Sequence, residues 1–163
     1  MPNLQRLAAH HAAALVRFER VNREWFARSV PDRGDAYFAD FDARHAGLLA
    51  EQETGACHFH VLVDADGAVL GRFNLVDVAD GEAELGYRVA ERAAGRGVAT
   101  DGVRRVATLA REAYGLRRLT AETTLDNAGS LAVLRRTGFT PVGEVSLDGR
   151  PGLRFVRELT ADD

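Results

Sequence analysis

A double change of hydrophobic period between residues 82 and 124 constrains this fold more than any other feature of the sequence. Side chains from Glu82 to about Val89 alternate as in a strand, whereas the apolar residues after Gly97 recur at helical spacing. A further short strand is expected from Arg118 to Thr124. A strand, a glycine-containing turn, a helix and a strand make a βαβ crossover, which places both strands parallel in one sheet.

The flanking regions add helices and an antiparallel meander. Helices are expected at 10–27, about 35–52 and about 128–137, with strands at 57–63 and 68–77 before the strand at 82–89 and a closing hairpin at about 140–147 and 152–159. The hairpin is expected to turn at Asp148-Gly149. Gly86, inside a strand, is typical of a bulge or of tight packing against a helix. The sequence therefore predicts an α+β fold whose mixed, mostly antiparallel sheet has flanking helices.

Residue composition excludes several chemistries. The sequence contains 163 residues and no lysine, so all 21 basic residues are arginine. Walker A loops, pyridoxal-phosphate enzymes and Schiff-base aldolases all require a lysine amine. The single Cys57 cannot form an internal disulfide or a multi-thiolate metal site, and His58 and His60 lack a third ligand at a suitable spacing. We therefore expect no metal.

Length and charge indicate one domain over residues 1–163, without a membrane or nucleic-acid partner. No apolar run approaches the roughly 20 residues that span a bilayer, and the first 20 residues lack the apolar core of a secretion signal. A cytoplasmic location is the resulting expectation. The formal net charge of −3 disfavours nonspecific binding to nucleic-acid backbones, which relies on surplus basic residues.

The turn of the crossover, Ala94-Gly95-Arg96-Gly97-Val98-Ala99-Thr100, is the first candidate binding site. Small residues let a ligand approach the backbone, and the first free N–H groups of a helix bind phosphate or pyrophosphate. Arg96 could add a charge-assisted hydrogen bond. A plain turn and a dinucleotide-binding module are alternatives, although Thr100 stands where the third glycine of the dinucleotide pattern belongs.

A second motif lies downstream, where Asp126-Asn127-Ala128-Gly129-Ser130 precedes a helix that ends at Gly138-Phe139. The glycine-containing loop, the Asn-x-x-Ser motif and the Gly-Phe pair, in this order, resemble the GNAT superfamily of N-acetyltransferases. The resemblance is strong over about 57–159. The segment Asn22-Arg23-Glu24-Trp25-Phe26 and the second motif look most like the RimJ/RimL branch, bacterial enzymes that acetylate protein N-termini, chiefly of ribosomal proteins.

This resemblance implies an acetyl-CoA co-substrate and a sheet whose two central strands splay apart. It assigns the pyrophosphate to the loop and helix start, namely Gly95, Arg96, Gly97, Val98, Ala99 and Thr100. It also implies that Tyr87, Arg88 and Val89 pair with the pantetheine arm, that Asn127 hydrogen-bonds the same arm, and that an N–H near Val89 stabilises the oxyanion. Ala94 stands where Gln or Arg is usual, which should weaken CoA binding without abolishing it.

Direct acetyl transfer to a primary amine requires a proton acceptor and a donor to the departing thiolate. The resemblance makes Glu122 the first candidate base, and Glu84 on the facing strand is the second. Leu134 stands where many family members have a tyrosine acid, so Ser130 is expected to face the thiolate. A solvent-exposed strand carboxylate is the alternative for Glu84 and Glu122, and a helix-capping role is the alternative for Ser130.

The acceptor is not specified by any motif. A protein N-terminus, a polyamine, an aminoglycoside or another small amine would suit the same donor site, and a homodimer is possible. A non-catalytic acyl-CoA sensor is the alternative function, since Ala94 and Leu134 occupy two positions that are usually polar.

Overall fold

The alternating and helical patterns form a seven-stranded mixed sheet with helices packed on its faces, in a computed structural model that describes residues 2–161. In chain order the elements are β1 (Asn3–Arg6), α1 (Ala12–Val21), α2 (Arg23–Ala27), α3 (Asp35–Ala39), α4 (Phe41–Glu53), β2 (His58–Val63), β3 (Val69–Ala79), β4 (Glu82–Val89), α5 (Val98–Glu112), β5 (Arg118–Thr124), α6 (Ala128–Arg136), β6 (Thr140–Leu147) and β7 (Arg150–Glu158). Short 3-10 turns occupy Ala9–His11 and Glu91–Ala93. The predicted α+β class is confirmed.

The strand order is β1-β2-β3-β4-β5-β7-β6. Strands β2, β3 and β4 form the predicted antiparallel meander, and β4 pairs with β5 in parallel, as the crossover requires. The closing hairpin inserts β7 between β5 and β6. Its turn has positive φ at both Asp148 (52°) and Gly149 (79°), the geometry of a tight two-residue hairpin turn.

The N-terminal region differs from the prediction. The helix expected at 10–27 is divided into α1 and α2 at Asn22, whose Nδ2 donates to the Phe18 carbonyl and whose Oδ1 accepts from the Glu91 N–H. The helix expected at about 35–52 is divided into α3 and α4 at Asp40. The edge strand β1 was not predicted, because four residues are too few to display a period.

The prediction of a bulge at Gly86 is wrong for the pairing of β4 with β3. Asn74 and Gly86 face each other in a regular ladder, and the register shift lies between Val76 and Ala79 instead. A Cβ at Gly86 would meet nothing within 4 Å, so tight helix packing does not explain this glycine either. Gly86 leaves open space on the sheet.

Two apolar clusters cover opposite faces of the sheet. One packs α5 and α6 against β3, β4 and β5, and the other packs α1 and α4 against β2. The closest approach in the first cluster is at Gly102 of α5, where a Cβ would lie 2.1 Å from Cζ of the buried Phe73. Glycine lets α5 lie directly on the ring. Within residues 2–161 no helix is both long and apolar enough to span a membrane.

Candidate active site

Strands β4 and β5 open a gap in the sheet, and this gap organises the site. They pair only where Glu82–Glu84 faces Arg118–Thr120, at the start of both strands. Beyond this point no further β4–β5 pairing occurs within the described residues, so the predicted splay is present. Two clefts meet at the opening, and six residues line both of them: Ser29, Val30, Tyr87, Arg88, Asn127 and Ser130.

The first cleft, here called the loop cleft, has a volume of about 570 Å³, and its lining includes the start of α6 and every residue of the 94–100 segment except Arg96. Gly95 and Gly97 have φ of 73° and 77°, a left-handed backbone that favours glycine. Gly97 is the N-cap of α5, and no side chain among residues 2–161 caps that end. Helix geometry therefore leaves the N–H groups of Val98, Ala99 and Thr100 available to an anion.

The arginine of this segment does not line the cleft. Arg96 is exposed and is not among the lining residues, whereas Arg136, in the last turn of α6, is one of them. Sequence reasoning missed Arg136 because helical phase alone does not show which neighbour a helix end will face. A phosphate contact by Arg96 thus stays a prediction, and Arg136 is a basic side chain already at the cleft.

The open edge of β4 forms one wall of the loop cleft. The Ala90 N–H bonds to the Leu70 carbonyl, and hydrogen-bonded pairs alternate along an antiparallel ladder. The backbone groups of Tyr87 and Val89 therefore point away from β3, toward the gap. In agreement, the indole Nε1 of Trp25 donates to the Val89 carbonyl at 3.2 Å. This edge offers hydrogen-bonding groups to an extended ligand.

A pair of hydroxyl groups marks the junction of the two clefts. Tyr87 Oη and Ser130 Oγ lie 3.2 Å apart, and burial raises the pKa of Tyr87. Asn127 is the N-cap of α6, because its Oδ1 accepts from the Ser130 N–H at 3.1 Å. The Ser130 hydroxyl is thus not used for capping and faces Tyr87. The sequence predicted Ser130, but it assigned Tyr87 only a backbone role.

The second cleft, here called the hairpin cleft, has a volume of about 600 Å³, and its lining includes β3, β4, β5 and the β6–β7 turn. Glu122 lines it, with Oε2 3.8 Å from Arg154 Nη1 and a side chain 22% exposed. Glu84 is near Glu122 but is not in the lining. Burial is the main reason that the pKa of Glu84 is raised, and the charges of Glu122 and Asp77 raise it further.

The opposite wall of the hairpin cleft is basic. Arg33, Arg72 and Arg88 line it and converge on Glu19, which is 1% exposed. Arg33 Nε and Arg88 Nη1 donate to Oε1 at 3.0 and 3.1 Å, and Arg72 Nη1 donates to Oε2 at 2.7 Å. Burial opposes ionisation of Glu19, but the three guanidinium groups outweigh it and hold the pKa of Glu19 below its ordinary value. Glu19 is therefore a carboxylate.

Sequence reasoning missed this arginine cluster, although α1 carried one signal of it. Glu19 directly follows the apolar residue Phe18 and lies four positions after Leu15, so its side chain points to the buried face of the helix. A carboxylate on an apolar face needs a buried partner. Its partners come from a loop and from β3 and β4, at distances along the chain that periodicity cannot show.

Comparisons with known proteins agree with this geometry. A family model described as an acetyltransferase (GNAT) domain matches residues 3–140. The putative ribosomal N-acetyltransferase YdaF of Bacillus subtilis (strain 168) is 27% identical over 139 residues, which cover 77% of this chain and 68% of that protein.

Two solved structures are similar over almost the whole chain. RimJ of Mycobacterium smegmatis, in complex with CoA-disulfide, superposes with a TM-score of 0.85 at 25% identity, covering 95% of this chain and 80% of that one. The ribosomal-protein-S5-alanine acetyltransferase of Vibrio fischeri gives a TM-score of 0.90 at 19% identity, covering 97% and 93%. The latter likeness shows the fold alone.

Proposed function

The chain belongs to the GNAT acetyltransferase family, and from that premise we propose that it transfers an acetyl group from acetyl-CoA directly to a primary amine in a ternary complex. The observation that carries this proposal is the junction of the two clefts at the β4–β5 gap. One cleft leads from a helix N-terminus suited to pyrophosphate, and the other gives an amine access to the same gap. A protein N-terminus is the first acceptor class to test, because a relative of this chain is named as a putative ribosomal N-acetyltransferase.

The loop cleft is the proposed donor site. The free N–H groups at the start of α5 would hold the pyrophosphate, and Arg136 supplies positive charge in the same cleft. The open β4 edge at Tyr87 and Val89 would pair with the pantetheine amides as an added strand does. Asn127 keeps its Nδ2 for this arm, because only its Oδ1 is used to cap α6. Similarity to an enzyme solved with CoA-disulfide supports this assignment.

Transfer requires the amine nitrogen to attack the thioester carbonyl while its proton passes to a base. Glu122 lies in the hairpin cleft and is our first candidate for that base, with Glu84 behind it as a second carboxylate. As the carbon–sulfur bond breaks, the thiolate needs a hydrogen-bond donor. The Ser130 and Tyr87 hydroxyls stand at the junction and would supply it, while a Val89 N–H would stabilise the oxyanion.

The hydroxyl pair argues against a purely binding function. Leu134, which occupies the position of the usual tyrosine acid, is buried and cannot donate. Tyr87, on strand β4, places a phenol beside Ser130 of helix α6, so a donor is present although the usual one is absent. An acyl-CoA sensor without chemistry would not require this arrangement.

Release of CoA thiol from acetyl-CoA, measured with peptide, amino acid and polyamine acceptors, tests the proposed function. We expect release that depends on the acceptor, together with CoA binding by calorimetry. Ser130→Ala should lower kcat while leaving the dissociation constant of CoA within about twofold, with Ser146→Ala on the exposed face of β6 as the matched control. CoA binding without thiol release for any acceptor would favour the sensor, and no CoA binding would refute the proposal.

A further inference from the structure

We infer that the acceptor carries a carboxylate or a comparable anionic group close to its reactive amine, on the first or second residue if it is a peptide. This rests on the proposed function, since it concerns the molecule that enters the hairpin cleft. The observation behind it is the arginine cluster in the cleft wall, formed by Arg33, Arg72 and Arg88 around Glu19.

The cluster has more positive than negative charge. Three guanidinium groups share one carboxylate, so two positive charges have no balancing charge within the cluster. Their side chains are 29%, 5% and 20% exposed for Arg33, Arg72 and Arg88, respectively, so water solvates them only in part. Burial is the main reason that the pKa of Arg88 is lowered; Glu19 opposes this effect, and the like charges of Arg33 and Arg72 add to it. Partly desolvated, crowded cations favour a bound anion.

Other charged residues of the cleft do not balance this cluster. Arg150 lines the cleft too, but it is paired with Asp126. Asp148 stands exposed at the tip of the β6–β7 turn. Glu122 lies on β5 beside Arg154 and across the gap from the cluster. The hairpin cleft is therefore polarised, with a carboxylate on one side and surplus guanidinium groups on the other.

The strand register gives the distance between Glu122 and the arginine cluster along the sheet. Arg72 faces Arg88 across β3 and β4, and Asn74 faces Gly86 two residues further along. The next pair is Val76 and Glu84, and Glu84 is level with Thr120 of β5. Glu122, two residues after Thr120, is thus level with Gly86. Two strand residues span about 7 Å, so Glu122 and the Arg72–Arg88 pair are about that far apart along the sheet.

A short extended acceptor fits this spacing. An extended chain advances about 3.3–3.6 Å per residue. A peptide whose terminal amine lies near Glu122 therefore places its first or second side chain beside Arg72 and Arg88. Gly86 leaves the space between open, since a Cβ there would meet nothing within 4 Å. Asn74 lines the same space, and its Oδ1 has no hydrogen-bond partner within residues 2–161. This oxygen can therefore accept a hydrogen bond from an N–H group of the substrate. A polyamine, which carries only positive charge, would be repelled by the arginines.

Pairs of acceptors that differ in one charge test this directly. Thiol release from acetyl-CoA is compared for the tripeptide amides Asp-Ala-Ala and Asn-Ala-Ala, for Ala-Asp-Ala and Ala-Asn-Ala, and for spermidine. Alanine against alaninamide tests a free amino acid as the source of the carboxylate. We expect kcat/KM about tenfold higher for the acidic member of at least one pair, the size expected for a hydrogen bond to a charged group, and the poorest use of spermidine.

The variant Arg33→Gln should then lower the acidic-to-neutral ratio by threefold or more, and Arg33→Lys should restore part of it. Arg23→Gln is the matched control, because Arg23 pairs with Asp32 and Asp35 outside the hairpin cleft. Equal use of acidic and neutral acceptors in all pairs, or a preference for spermidine, refutes the inference and leaves the proposed function intact. If Arg33→Gln leaves the acidic-to-neutral ratio of kcat/KM unchanged and weakens CoA binding instead, the arginine cluster serves the acetyl donor, and the inference is also refuted. Thiol release from no acceptor refutes both.

Discussion

Replacing Glu19 by glutamine should destabilise this protein more than any other single conservative change in α1. The substitution keeps the size of the side chain and one carbonyl acceptor, but it removes the negative charge shared by Arg33, Arg72 and Arg88. Three guanidinium groups would then face each other with no carboxylate among them. The charge that is lost lies in a side chain only 1% exposed, so water cannot replace it.

The size of the expected loss of stability follows from measured effects of breaking a buried ion pair. Removing one partner of such a pair destabilises a protein by about 3–5 kcal/mol. Because glutamine still accepts one hydrogen bond, we expect the lower end, about 3 kcal/mol, which corresponds to a fall in Tm of about 6–12 °C for a chain of this size. Glu24→Gln, on the exposed surface of α2, should change stability by less than about 0.5 kcal/mol.

Urea unfolding followed by the fluorescence of the single tryptophan measures both variants, since Trp25 on α2 donates to the Val89 carbonyl of β4 and therefore reports loss of the native packing. The pH dependence supplies a second check. The pKa of Glu19 is lowered in the folded state, so its contribution is present above the ordinary carboxyl pKa of 4.5 and is lost as pH falls through the lower folded value. The difference between wild type and Glu19→Gln should therefore shrink on acidification. A loss below 1 kcal/mol at pH 7, or a difference that does not depend on pH, would refute the reasoning.

Three further predictions concern other parts of the fold and site. Gly102→Ala should destabilise the protein by about 1–3 kcal/mol in urea unfolding, because the new Cβ would lie 2.1 Å from the Phe73 ring and the gain in helix propensity is only about 1 kcal/mol; a neutral result would mean that α5 shifts freely. Tyr87→Phe should lower kcat more than CoA affinity, and adding Ser130→Ala should lower kcat little further, because each variant breaks the same hydroxyl pair. Fully additive losses of kcat would show that the two hydroxyls act separately. Gly97→Ala should weaken CoA binding about fivefold or more by calorimetry, because φ of 77° strains an alanine by about 1–2 kcal/mol where the pyrophosphate is proposed to bind; unchanged affinity would place the phosphates elsewhere.

The local features of the sequence predicted most of the fold. Strict alternation over Glu82–Val89 and helical spacing after Gly97 are short-range patterns, and β4, α5 and β5 formed at nearly the expected bounds. The Asp148-Gly149 pair likewise specified its own turn, since both residues have positive φ. The breaks at Asn22 and Asp40 were not predicted. At Asn22 the reason is clear, because its partner is the Glu91 N–H, far along the chain.

At the site, sequence and structure contribute different parts. The glycine-containing loop and the Asn-x-x-Ser motif could be read directly, since small residues and capping residues act on their own backbone. The arginines that line the loop cleft could not be predicted: Arg136 lies there together with Arg88, and Arg96 does not. The Tyr87–Ser130 hydroxyl pair was also invisible, because it joins β4 to α6.

By itself, then, the sequence determined the periods of the elements, the βαβ crossover and the glycine-containing loop, all of which depend on residues close together in the chain. Only the tertiary structure decided where charge accumulates. Glu19 is one carboxylate in an amphipathic helix until the fold brings Arg33, Arg72 and Arg88 to it from a loop and two strands. Electrostatic energy depends on distance in space and on burial, and neither is a property of position along the chain.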